Sequence, residues 1–172
     1  MDASPFGRIP AELRNEIFRL ALTSNTPIAL RPDTEPALLR TSRQIRGETR
    51  GVFWAGKDFV VNVATDTGVQ TAQDIGGLDQ DKLRLIPKII VRSKLVLQSR
   101  GTWGTTPVDD LELVVDALAA RGATKQQVEM VVEFAENIPA HIRGLPRAEA
   151  KLEERKRWCL WLWECAVENA TK

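Results

Sequence analysis

The sequence predicts an α+β fold, mainly helical, formed as a single domain over residues 1–172. Three observations carry that expectation. Apolar residues recur at three-to-four spacing in several segments, β-branched runs interrupt them, and Gly or Pro separates the two kinds. A chain of 172 residues with 43% hydrophobic and 27% charged residues can bury a core without staples.

Residues 10–22 open with Pro10, followed by Leu13, Ile17, Leu20 and Ala21, which is a helix pattern. Ser24-Asn25 ends it. Thr26 to Arg31 reads as a short strand before the Pro32-Asp33 turn. A long helix is expected from Glu35 to Trp54, closed by Gly56 and followed by a strand at 58–63. Residues 64–81 are polar with a Gly76-Gly77 break, and 88–97 favours a third strand. Ser99 to Thr106 reads as a loop. Thr106, Pro107, Asp109 and Asp110 make a strong helix start, and Gly122 stops that helix.

Thr124-Lys125-Gln126-Gln127 has capping-box spacing, so a second helix is expected to Asn137. Residues 106–138 are therefore an expected αα-hairpin packed through Leu111, Val114, Val115, Leu118, Val128, Val131 and Val132. The unit resembles a helix-turn-helix, but its second helix would carry one Lys against three Glu, which phosphates repel. The final helix, 147–169, is rich in Trp and apolar around much of its wheel. It suits either a doubly covered core helix or an interface through Trp158 and Trp161.

The charge count, 24 Lys+Arg against 23 Asp+Glu, removes a global electrostatic argument for nucleic acid or acidic membrane. Only a local stripe remains, Arg40, Arg43, Arg46 and Arg50, on one helical face. It suits a solvated surface, an acidic partner or RNA. No apolar run approaches the ~20 residues of a membrane span. The leader Met1 to Gly7 lacks secretory features, so an intracellular setting, cytoplasmic or nuclear, is expected.

Catalytic chemistry is poorly provided for. There is one His, there are two Cys and there is no Tyr. Cys159 and Cys165 lie roughly 240° apart on a helix and cannot share a disulfide or one metal ion. His141 has no nucleophile-elbow sequence near it. Gly51 to Asp58 comes within one residue of a phosphate-binding loop. There the element order is reversed, and Asp58 replaces the hydroxyl that holds Mg²⁺. Gly101-Thr102-Trp103-Gly104 matches the GxxG of RNA-clamping loops, yet it lacks basic residues and reads as a turn. No enzyme activity, cofactor or metal is expected.

One resemblance adds to this. Ile9-Pro10-Ala11-Glu12-Leu13-Arg14-Asn15-Glu16-Ile17-Phe18, then Pro36-Ala37-Leu38-Leu39-Arg40-Thr41-Ser42-Arg43-Gln44-Ile45-Arg46, then Phe53-Trp54-Ala55-Gly56-Lys57-Asp58-Phe59, resemble the F-box-like proteins of filamentous fungi. The similarity covers 9–59. Ser42 stands where that family has Cys, and the insert at 23–35 is longer than a compact F-box connection. The resemblance implies a helical module docking on the Skp-type adaptor of a cullin–RING ubiquitin ligase. It also implies that Pro10, Leu13, Ile17, Leu38, Leu39 and Ile45 contact the adaptor or pack. The same apolar positions suit the domain's own core. A self-associating structural or effector-type domain using the Trp-rich helix is the alternative. Nucleic-acid binding through the stripe of Arg40, Arg43, Arg46 and Arg50, with Arg43 and Arg46 as its test positions, is a third.

Overall fold

Strands added one after another in chain order set the frame. The computed structural model describes residues 8–22, 26–63, 67–97, 103–105, 108–135, 138 and 140–171. Its elements run α1 (Ala11–Leu22), β1 (Ile28–Ala29), a 3-10 turn (Ala37–Arg40), α2 (Arg43–Ala55) and β2 (Asp58–Val63). Next come α3 (Gly68–Gly76), α4 (Gln80–Leu85), β3 (Lys88–Leu97), β4 (Trp103–Thr105) and α5 (Val108–Ala120). β5 (Val128–Phe134), α6 (Ala140–Arg143) and α7 (Pro146–Ala170) complete the single α+β domain. None of the described helices is long and apolar enough to cross a membrane.

β1, β2, β3 and β5 lie side by side and parallel, with Phe59 opposite Ile89 and Ile89 opposite Val128. Leu95 pairs with both Thr105 of β4 and Phe134 of β5. The short antiparallel β4 therefore continues the edge of β3 that β2 leaves free. Parallel neighbours joined in chain order follow the general rule of right-handed crossovers, which places the connecting helices on one face. The core agrees. Phe59, Val61, Val63, Ile89, Val91, Val128 and Val132 share one buried cluster with Phe18 of α1, Trp54 of α2, Ile75 of α3, Leu118 of α5 and Trp163 of α7. Val60 and Ile90, on the alternate positions, are buried but stand outside that cluster.

The predicted strands at 58–63 and 88–97 are present, and the first shortens from 26–31 to Ile28–Ala29. The predicted helix from Glu35 divides at Thr41-Ser42. Ser42 is extended there, and its Oγ accepts from the Ile45 N–H at 3.1 Å, so it caps α2. This gives Ser42 a structural role at the position where it departs from the F-box-like pattern. The polar stretch 64–81 contains α3 and the start of α4. Asp79 caps α4 by accepting from the Asp81 N–H.

The αα-hairpin at 106–138 is corrected. Its first helix is α5, but its second half is strand β5, paired along β3 from Ile89 to Leu95. The expected cap did form: Gln127 Oε1 accepts from the Thr124 N–H at 2.9 Å. It closes an isolated turn, because Gln127 Nε2 donates at the same time to the Leu83 and Ile86 carbonyls. Val128, Val131 and Val132 fit helical spacing, yet β-branched residues beside an open edge of β3 gain more from the ladder. Trp103–Thr105, read as loop, pairs as β4. The expected roles of Ser24-Asn25, Thr106 and Pro107 fall outside the described residues, as do Met1 to Gly7 and the Gly101-Thr102 half of the Gly101–Gly104 motif.

Candidate protein-interaction surface

α1 is apolar on two opposite sides. Phe18 and Leu22 enter the core, whereas Leu13 is 58%, Ile17 42% and Leu20 65% exposed. At 100° per residue the exposed three fall within roughly 60°, well away from the buried pair. Such a helix is ordinarily covered on both sides. Here α1 packs on α2 and is pinned to it by Arg14. The Arg14 Nε and Nη2 donate to Glu48 at 3.1 and 2.9 Å, and Nη1 donates to the Ile9 carbonyl. Gln44 also donates to Glu48, and together these bonds hold the Glu48 carboxyl below its ordinary range, Arg14 contributing most.

The residues singled out in the sequence separate accordingly. Pro10, Leu13 and Ile17 are exposed together on and before α1. Leu38 and Ile45 are half-buried against the core. Leu39 is fully buried, so of its two expected roles, partner contact or packing, it takes packing. Its place in the tight 3-10 turn aims it inward. Leu20 was not among the expected contacts, although it continues the Leu13–Ile17 stripe at helical spacing.

The arginine stripe is largely spent within the chain. Arg40 donates to the Asp33 carbonyl and Arg46 to the Leu39 carbonyl. Arg50 pairs with Asp79 at 2.6 Å, while Arg40, Arg43 and Arg46 remain exposed. Gly51 to Ala55, the first part of the false phosphate loop, are helical, so no amide nest forms there.

The Trp-rich helix is divided. Trp163 is buried, Trp158 is half-buried with the Arg155 guanidinium 4.1 Å from its ring centre, and Trp161 is 57% exposed beside exposed Leu160. Lys125 reaches Glu164 next to this pair at 2.5 Å. Both cysteines are free, and burial pushes the Cys159 thiol up, away from the reactive thiolate. His141 is exposed on α6. Among the described residues no cluster of three His, Cys, Asp or Glu could hold a metal ion.

A separate pocket of about 390 Å³ opens between the ends of β1 and β2 and the side of α3, lined by Leu30, Arg31, Val60, Asn62, Gln70 and Asp74 among others. Comparison of the chain with protein-family models, with curated proteins and with solved structures returns no match in any of the three.

Proposed function

We propose that the chain is a non-enzymatic protein-interaction module that docks through the outer face of α1. The observation that carries this is the solvent-facing trio Leu13, Ile17 and Leu20, opposite a fully buried face of the same helix. Covering a large aliphatic side chain is worth about 1.5–3 kcal/mol in full, so three of them supply the centre of an interface. The F-box-like resemblance of residues 9–59 supports a partner of one kind, the Skp-type adaptor of a cullin–RING ligase. Titration with purified adaptor tests it. Micromolar association, lost on Ile17→Asp without loss of folding, is expected. No association at about 50 μM would exclude the ligase reading, since an interface with a working apolar centre binds at micromolar strength or better.

A second reading rests on Trp161. Its exposure beside Leu160 favours self-association through α7. Light scattering that shows a strict monomer at high concentration would remove it.

A further inference from the structure

We propose that the wedge between β1 and β2 binds a small monocarboxylate carrying a neighbouring secondary amide, the chemistry of an N-acylated amino acid. The starting point is the strand ladder. The Leu30 N–H donates to the Val60 carbonyl at 2.9 Å, so the polar groups of Val60 point toward β1. Alternation along a strand puts the N–H and carbonyl of Asn62 on that same edge. With Ala29 opposite Val60, the next donor to the Asn62 carbonyl would be residue 32. Residue 32 is Pro32, which has no N–H. β1 stops after two residues, and no described backbone group bonds to Asn62 on this edge.

The pocket occupies the opening that results. Its volume of about 390 Å³ lies at the small end of ligand sites. Leu30 and Val61, on the core side of the sheet, supply apolar wall, which suits an alkyl or acyl group. The unpaired N–H and carbonyl of Asn62 face the same way, so they match a carboxylate oxygen and the amide N–H of one N-acylated amino-acid unit, as a residue of an added antiparallel strand would. Arg31 lines the pocket, is exposed, and makes no ion pair with a described carboxylate. It supplies the charge for one carboxylate. Asp74, fixed by a 3.0 Å bond from Gln70 Nε2, also faces the pocket and disfavours a second negative charge. A phosphate or dicarboxylate is selected against, and a monocarboxylate is not.

The test is an amide ¹H–¹⁵N titration of the full chain with N-acetyl-leucine. Shifts confined to Asn62, Gln70, Thr71 and their neighbours are expected. Replacing the carboxylate by a carboxamide, or Arg31 by Gln, should weaken binding about tenfold or more, the effect of one charge-assisted bond. An ester analogue without the amide N–H should also weaken it, because the Asn62 carbonyl loses its donor. A hexapeptide ending in leucine separates the sources. Equal affinity assigns the site to a free small molecule, and a further tenfold gain assigns it to a protein C-terminus. No localised shift up to about 10 mM, or equal binding by acid, carboxamide and Arg31→Gln, overturns the proposal.

Discussion

The indole of Trp54 stacks on the ring of Phe59, with centroids 5.0 Å apart and planes 20° from parallel. Phe53 meets both edge-on, at 5.1 and 5.9 Å. The trio joins the end of α2 to the start of β2 around the Gly56 turn, and all three rings are buried. Trp54→Ala is expected to cost about 3–5 kcal/mol, measured from urea midpoints. A double-mutant cycle with Phe59→Leu should show coupling of roughly 0.5–1.5 kcal/mol. Additive effects would mean that the stack contributes nothing beyond burial.

Two glycines should respond in opposite directions. Gly68 begins α3 directly against Asp110 of α5, leaving no space for a methyl group. Gly51 lies inside α2 with nothing near its missing Cβ. Gly68→Ala should destabilise by about 1–3 kcal/mol, while Gly51→Ala should stabilise by about 0.5–1 kcal/mol. Thermal unfolding of both variants decides it, and a stable Gly68→Ala protein would refute the close approach.

The tryptophans of α7 give a similar contrast. Trp163→Ala should lose about 3–5 kcal/mol, whereas Trp161→Ala should stay within about 0.5 kcal/mol of the parent. If Trp161→Ala proves strongly destabilising, its side chain is covered in solution, and dilution would show whether a second copy covers it.

Acid should loosen the attachment of α1. The Glu48 carboxyl is held below its ordinary value of 4.5, first by Arg14 and then by Gln44. The folded state therefore binds this proton less readily than the unfolded state. The stabilisation is fully present above pH 4.5 and is lost as the pH falls through the lower folded value. Glu48→Gln should be less stable than the parent at neutral pH, with the gap closing below pH 4.5. Urea midpoints across this range test it; a gap independent of pH would contradict the ion pair's role.

The helices α1, α5 and α7 were legible because each has a sustained apolar period and a recognisable start. β2 and β3 were legible from β-branched runs after a Gly or Pro. β5 was not, since Thr124 to Gln127 carries a true helix-start pattern and the valines satisfy both periods. Helix α3 and the start of α4 were hidden in a polar stretch, and within the two helices only Ile75 and Leu83 are large buried apolar side chains. In the candidate surface, the Leu13–Ile17 pair could be read from the sequence, but its exposure could not. Either outcome satisfies the same spacing.

The sequence by itself determined the mainly helical α+β class and the starts of α1, β2, β3, α5 and α7. These depend on neighbouring residues, whose propensities and spacing are local. Only the tertiary structure decided that β5 completes the sheet, that Leu39 turns inward while Leu13 turns outward, and that Pro32 leaves the Asn62 carbonyl without a ladder donor. Each depends on which distant segment occupies an edge or a face. A hydrogen-bonding strand edge or an apolar stripe has the same composition whether or not something covers it.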